Sequence, residues 1–245
     1  MGKRFFCSVG LCLALLPVMV WAQCAATWDI EQLAGKTGST VILRFEGKQV
    51  ASVPTEWVRS LIEVKQRVDQ VSGIQTQMFL CGDSEPNAFA TIVNRRNVVA
   101  ITLGMSRLLG QDWDAYAAVL GHESAHLTLG HHRETQVRET VIGLAQMFGS
   151  MALETLIRGS GGSAGIGDSL SSLGASLVST AYSRGAEREA DREGIRYTIL
   201  AGYDPQGAIR LHQKLNAQGS FMSTHPGSEQ RIAELQKVIA ELKPQ

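Results

Sequence analysis

The 245-residue sequence lacks an excess of either charge, because 23 Lys and Arg residues balance 23 Asp and Glu residues. Domains that bind nucleic acid usually concentrate basic residues in a patch or a block. No such block is present, so the composition argues against nucleic acid as a partner. Hydrophobic residues make up 44% of the chain, as in ordinary globular proteins that bury a core.

Long apolar runs are also missing from the sequence after residue 22. Gly2–Arg4 is a short basic stretch, and Phe5–Val20 is apolar but short for a membrane span of about 20 residues. The pattern predicts a secretory signal peptide over residues 1–22, with a retained membrane anchor as the alternative. Gln23 does not suit a lipoprotein signal. We therefore expect an exported, soluble, periplasmic protein whose single domain covers residues 23–245.

Cysteine is scarce, with four in the whole chain. Cys7 and Cys12 would leave with the signal peptide, and Cys24 and Cys81 would remain as an even pair. Such a pair could form one disulfide in an oxidising compartment. Two free thiols are the alternative, because the sequence does not fix the distance between them.

Apolar periodicity predicts an α+β domain that is predominantly α-helical, with a small sheet in its N-terminal half. Residues 23–53 form an N-terminal extension with a hairpin. The predicted strands are Val41–Phe45, Gln49–Val53, Gln75–Cys81 and Asn97–Thr102, with a turn at Arg95–Asn97 before the last of them. The predicted helices are Pro54–Ser72, Asp112–Gly130, Glu134–Arg158, Ser169–Ala201, a helix that Asp204 caps and Pro205 begins, and Glu229–Leu242.

The sequence His-Glu-Ser-Ala-His at positions 122–126 lies in one of these helices. His122 and His126 are four residues apart, so both imidazoles face the same side and can reach one metal ion. Zinc suits imidazole and carboxylate ligands, and its catalytic sites keep one position for water. Glu123 projects about 100° around the helix. Its carboxylate could take a proton from that water and pass it to a leaving amine.

A catalytic zinc site needs a third protein ligand, and two candidates follow from the sequence. His132 is six residues after His126, but Gly130 stands one position later than the glycine of the metzincin pattern. The other candidate is Glu187, with Asp191 four residues later on the same helix face and able to orient a ligating imidazole. Glu189 lies on another face and is expected to be solvated. By charge pattern alone, this helix would be an ordinary charged surface.

Four separated motifs resemble one metallopeptidase family. They are the runs His122–His131 and Ser183–Asp191, the segment Asn87–Ala90 upstream, and Thr224–Pro226 downstream. Together they are similar to the family that contains the prenyl-protein protease and the bacterial HtpX-like and BepA-like enzymes. The absence of long apolar helices makes the chain similar to the small, soluble, exported branch of that family.

This resemblance implies a gluzincin-type domain with a small sheet beside the helix that carries the two histidines. It implies that one Zn²⁺ per chain is bound by His122, His126 and Glu187. It further implies that Glu123 is the catalytic base and that Asp191, which does not bind the metal, orients a ligating imidazole.

Other positions receive roles from the same resemblance. His225 would lie near the metal, where it could stabilise the oxyanion or occupy the open zinc position in a latent state; a surface loop histidine is the alternative. Asn87 and Ala88 would form a sheet edge that binds an extended substrate, and the strand Val98–Thr102 is the alternative edge. The segment Thr91–Asn97 departs from the family's glycine-containing turn.

The expected function is that of an exported zinc metalloendopeptidase acting on unfolded or misassembled envelope proteins. The alternatives are a binding or chaperone-like module with a latent or structural zinc site, and a zinc hydrolase that cleaves a non-peptide amide. The apolar helix Glu134–Arg158 and the Gly/Ser-rich loop Gly159–Gly167 could form a lid, touch a membrane peripherally, or pack in the core. His131 and His212 are expected to be structural or surface residues.

Overall fold

A computed structural model describes residues 26–93, 95–131, 182–218 and 229–242. The described chain is an α+β, mainly helical arrangement, as predicted. Its strands are β1 (Thr27–Asp29), β2 (Thr40–Phe45), β3 (Lys48–Pro54), β4 (Thr76–Cys81), β5 (Ala88–Val93) and β6 (Arg96–Thr102). Its helices are α1 (Ile30–Ala34), α2 (Thr55–Ser72), α3 (Leu103–Leu109), α4 (Trp113–Thr128), α5 (Arg184–Leu200), α6 (Gln206–Gln218) and α7 (Glu229–Leu242).

Four of the strands form one mixed sheet in the order β1-β4-β6-β5. The two inner strands, β4 and β6, are parallel, whereas β1 and β5 pair antiparallel at the edges. Strand β6 is buried without interruption from Val98 to Thr102, which is typical of a strand covered on both faces. Strands β2 and β3 form the separate hairpin that the sequence predicts.

Local signals in the sequence set the ends of several elements. The Asp112 side chain accepts a hydrogen bond from the backbone N–H of Ala115 at 3.2 Å and so begins α4, as predicted. Gly73 ends α2 in the left-handed conformation, with φ 74°, which favours glycine. The Asp204 side chain accepts from the backbone N–H of Gln206 ahead of α6, which confirms its capping role.

Two predicted boundaries are wrong. The predicted helix Ser169–Ala201 does not run through Ser183, because the Ser183 hydroxyl accepts from the backbone N–H of Ala186 and starts α5 there. The predicted turn Arg95–Asn97 is shorter, since only Arg95 lies in a left-handed turn (φ 64°) and the next two residues pair in β6.

Other predictions concern residues that the structure does not describe. The predicted signal peptide, the helix Glu134–Arg158 and the loop Gly159–Gly167 lie outside the described residues. Cys81 is disulfide-bonded, but Cys24 also lies outside the described residues, so a Cys24–Cys81 disulfide, one of the two alternatives above, stays a prediction. Within the described ranges, no helix is long and apolar enough to cross a membrane.

Helix α4 lies at the centre of the fold and contacts α2, α5, α6 and β5. Most of its residues are buried, including the motif residues Glu123, Ser124 and His126. Burial on all sides explains why α4 shows little amphipathic pattern. The histidine motif is therefore carried by a helix that its neighbours hold fixed along most of its length.

Helices α4 and α5 cross at two glycines, Gly121 and Gly194. A Cβ atom added to Gly121 would lie 2.6 Å from the carbonyl oxygen of Gly194, and one added to Gly194 would lie 2.7 Å from the backbone nitrogen of His122. Both distances are far below van der Waals contact, so any larger residue would push the helices apart. This close approach brings His122 next to the side chains of α5.

Replacing Gly194 by alanine should therefore separate α4 from α5. We expect Gly194→Ala to lower the free energy of unfolding by about 1–3 kcal/mol through overpacking, and to weaken metal binding in the same protein. Gly185→Ala is the matched control on α5, because its new methyl group would meet nothing closer than 3.7 Å. Urea unfolding and zinc titration of both variants test this, and an unchanged Gly194→Ala protein would contradict the proposed constraint.

Candidate metal centre

Three donor side chains from α4 and α5 meet at one buried point. The Nε2 atoms of His122 and His126 lie 3.0 Å apart. Glu187 reaches them from α5, with Oε2 3.5 Å from His122 Nε2 and Oε1 3.3 Å from His126 Nε2. Ligand atoms of these three residues all lie within 4.8 Å of one another, and within the described chain no other such group of His, Cys, Asp and Glu forms.

The spacing of these donor atoms fits a zinc ion. Two ligands that each lie 2.0–2.1 Å from a tetrahedral zinc are about 3.3 Å from each other. The observed separations, 3.0 Å between the two imidazole nitrogens and 3.3 and 3.5 Å from them to the two different oxygens of Glu187, bracket that value. Two imidazoles and one carboxylate are also a common ligand set of catalytic zinc.

The balance of buried charge fits a dication as well. Glu123 and Glu187 are 1% and 2% exposed, and Asp191 is also buried. Among the described residues at this point, Arg231 is the buried cation that faces them, at 6% exposure. When all three carboxylates are ionised, the single guanidinium leaves two negative charges in a region of low dielectric. Such an excess is costly unless a cation is bound.

Asp191 contacts the Nδ1 side of the His122 ring, and Arg231 in turn contacts Asp191. His122 Nδ1 donates to Asp191 Oδ1 at 3.0 Å, and Arg231 binds both Asp191 oxygens, at 2.7 and 2.6 Å. Burial opposes ionisation of Asp191, but the hydrogen bond from His122 and the charge of Arg231 together hold its pKa well below the usual value. Arg231 also lies 2.8 Å from Glu187 Oε2. The last helix, α7, is thereby tied to the two buried carboxylates of α5, Glu187 and Asp191.

Tyr182 covers one face of His126. The two rings are stacked with their centroids 3.8 Å apart and an angle of 15° between planes. Burial raises the pKa of the Tyr182 phenol, and the negative charges of Glu123 and Glu187 raise it further. Glu123 is itself buried on α4, next to His122 in the sequence.

Comparison with known proteins then identifies the fold. A model of peptidase family M48 matches residues 52–239, which is more than half of the chain. The chain belongs to peptidase family M48. It is accordingly a metallopeptidase, which confirms both the family resemblance and the enzyme class that the sequence predicts. Strand β1, helix α1 and strand β2 precede the matched part of this M48 chain.

Several relatives carry protease names. The chain is 32% identical over 202 residues to a "Protease HtpX homolog" of Methylibium petroleiphilum and spans 68% of its length. It is 31% identical over 138 residues to a "Beta-barrel assembly-enhancing protease" of Yersinia pestis, of which it spans 28%. It is 28% identical over 188 residues to the "Mitochondrial metalloendopeptidase OMA1" of Schizosaccharomyces pombe and spans 52% of that protein.

The structure brings together five of the residues singled out in the sequence. His122, His126, Glu187 and Asp191 contact one another, Glu123 is buried beside His122 on α4, and the roles expected for each remain proposals. Asn87 and Ala88 lie at the start of the edge strand β5. The alternative ligand His132 and the loop residue His225 lie outside the described residues.

Four neighbours of this group were not recognised from the sequence: Tyr182, Arg231, His131 and Glu189. Glu189 was expected to be only solvated, yet its Oε2 lies 3.3 Å from His131 Nε2. His131 is buried against His126. A signal for Arg231 was available, because it shares the i, i+4, i+8 spacing of Leu235 and Ile239 on the buried face of α7.

Removing Arg231 should destabilise the M48 domain most when no metal is bound. Arg231→Met leaves Asp191 and Glu187 buried without their cation, so we expect a loss of about 3–5 kcal/mol in the presence of a chelator. Excess zinc should reduce this loss, because a dication offsets the same two charges. Urea unfolding with and without chelator measures both values.

Arg192→Met is the matched control, since Arg192 forms an exposed ion pair with Glu241 on the same two helices. Its effect should stay within about 0.5 kcal/mol. If Arg231→Met is as stable in chelator as Arg192→Met, the buried charge argument is wrong.

Proposed function

We propose that this M48 chain is a zinc metalloendopeptidase in which His122, His126 and Glu187 bind the metal. The observation that carries the proposal is the convergence of these three buried donors at zinc-ligand spacing. Asp191 and Arg231 would fix the orientation of His122 through its second ring nitrogen, as outer partners of zinc ligands usually do.

Glu123 is proposed as the general base and acid. A zinc ion held here supplies Lewis acidity toward a water molecule and a peptide carbonyl. The Glu123 carboxylate accepts one proton from the water molecule while the oxygen of that water attacks the carbonyl carbon. It then donates that proton to the amine nitrogen as the C–N bond breaks, so that one water and one peptide bond become a carboxylic acid and an amine. His225 stays a proposal as a stabiliser of the oxyanion.

Strand β5 is proposed to bind the substrate as an added strand. It is the edge of the four-stranded sheet and contacts α4, which carries the histidine motif. Asn87 O accepts a hydrogen bond from the backbone N–H of Thr102 at 3.0 Å. The antiparallel alternation then directs the backbone groups of Ala90 and Ile92 and the carbonyl of Ala88 away from β6, whereas the Ala88 N–H already donates to Asn87 Oδ1 at 2.9 Å. These groups suit an extended segment of an unfolded chain better than a folded surface.

The proposed substrate rests on the names of relatives, and the proposed compartment rests on the N-terminal sequence. Relatives in Yersinia pestis and Escherichia coli carry the name "Beta-barrel assembly-enhancing protease", and the N-terminal sequence has the pattern of a signal peptide. Quality control of envelope proteins in the periplasm is the corresponding proposal. N-terminal sequencing of the protein isolated from its native host should then begin near Gln23, whereas an intact Met1 would contradict export by cleavage.

Two other functions remain distinguishable by experiment. A chaperone-like module would bind unfolded protein without cleaving it, and its zinc would only hold the fold. A hydrolase for a non-peptide amide would cleave a small amide but no protein. The buried Glu123 favours the peptidase, because a purely structural zinc site has no use for a base beside it.

Glu123→Gln tests the proposed mechanism. The amide keeps the size of the side chain but cannot accept the proton, so we expect cleavage of a labelled unfolded casein to fall at least about 10²-fold, with zinc content unchanged. Casein proteolysis and zinc content are measured on the same preparations. A chelator should also stop the wild-type protein.

Glu193→Gln is the matched control, since Glu193 lies on α5 and pairs with Arg196 instead of the metal group. It should cleave casein at the wild-type rate. Full cleavage by Glu123→Gln would refute the assigned base, and binding of casein without any cleavage by the wild-type protein would favour the chaperone-like alternative.

A further inference from the structure

We infer that His131 is a positioning residue for His126, and that Glu189 is its outer partner. This inference rests on the proposed role of His126 as a zinc ligand. His126 Nδ1 lies 3.0 Å from His131 Nδ1, and His131 Nε2 lies 3.3 Å from Glu189 Oε2. The three side chains therefore form a continuous line from the metal group of α4 to the surface of α5.

The end of helix α4 places His131 in this position. The helix ends at Thr128, and Gly130 follows in the left-handed conformation with φ 73°. That turn takes the chain out of the helix, and His131, which follows it, is 4% exposed with its ring against His126. The same position in a continuing helix would point it away from His126, because residues five apart do not share a face.

The chemistry of a zinc ligand fixes how the protons must be arranged. If His126 binds zinc through Nε2, its one remaining ring proton is on Nδ1. That proton can be donated only to an acceptor, so His131 Nδ1 must be unprotonated. The proton of a neutral His131 is then on Nε2, the atom that faces the Glu189 carboxylate. The hydrogen bond from His126 to His131 therefore implies a second one, from His131 Nε2 to the Glu189 carboxylate.

The two zinc-binding histidines are thereby held in different ways. His122 donates to a buried carboxylate, Asp191, which Arg231 neutralises. His126 donates instead to a neutral ring, whose own partner Glu189 has a side chain that is 70% exposed. The Glu189 carboxylate lies at the surface. The line from His126 through His131 to Glu189 therefore adds no buried negative charge to a region where buried carboxylates already outnumber buried cations.

Zinc affinity tests the assignment without relying on activity. We expect His131→Leu, which removes the acceptor, to weaken zinc binding about 10–100-fold in a chelator competition assay. His131→Asn should lose less than about tenfold, because its amide oxygen can accept the His126 proton from nearly the same place. Circular dichroism of the metal-free proteins checks that both variants are folded.

Gly130→Val tests the same inference with every side chain of the line intact. A β-branched residue disfavours the left-handed turn, so His131 should shift and zinc affinity should fall in the same direction as in His131→Leu. Co²⁺-loaded wild-type protein and His131→Leu should also differ in their visible absorption, which reports the geometry of the ligands.

Two outcomes would overturn the inference. One is wild-type zinc affinity in folded His131→Leu. The other is an equal loss in His131→Leu and His131→Asn, which would mean that the ring only fills space. Failure of the proposed zinc site gives a different result, because the wild-type protein itself would then not bind zinc; failure of the proposed peptidase activity alone would appear in the casein assay and leave the zinc affinities unchanged.

Discussion

The candidate centre depends on how closely helices α4 and α5 approach each other. His122 and His126 come from one helix, and Glu187 and Asp191 come from another some sixty residues later in the chain. Gly121 and Gly194 remove the side chains at the crossing, so the backbone of each helix is close enough to touch the other. The rest of α4 is buried by α2, α6 and the sheet, which holds the two histidines in place opposite Glu187 and Asp191.

That approach creates an electrostatic problem that the surrounding residues answer. Three buried carboxylates cannot remain ionised at low cost without compensating charge. Arg231 supplies one positive charge from α7 and binds Asp191 through both oxygens, and a zinc ion would supply two more. The metal, the last helix and the two motif helices therefore stabilise one another, and metal binding is expected to contribute directly to the stability of the domain.

Much of this arrangement could be predicted from the sequence, for identifiable physical reasons. The i, i+4 spacing of His122 and His126 puts both on one helix face, and caps such as Asp112 and Gly73 mark helix ends. Strand β1 was not predicted, since it pairs with β4, which is distant in sequence. Strand β5 was foreseen only as a sheet edge at Asn87 and Ala88, although it forms a hairpin with the adjacent β6. Glu187 could not be separated from the surrounding charged residues of α5 by pattern alone; the family resemblance made that choice.

The outer partners of the histidines were harder to predict, because they depend on backbone geometry. Gly130 stands one position away from the metzincin pattern, and in that register its left-handed turn returns His131 to His126. Glu189 is mostly solvated and still contacts His131. Tyr182 lies just before the N-cap of α5, where the sequence suggested a continuous helix, so its stacking on His126 could not be foreseen.

The central claim is that zinc is bound by two imidazoles and the Glu187 carboxylate. X-ray absorption at the zinc edge of the loaded wild-type protein and of Glu187→Ala tests it most directly. The account predicts two imidazole nitrogens and carboxylate oxygen at about 2.0–2.2 Å in the wild type, with the carboxylate signal lost in the variant. Three imidazoles around zinc, unchanged in Glu187→Ala, would contradict it and return the third ligand to a histidine such as His132.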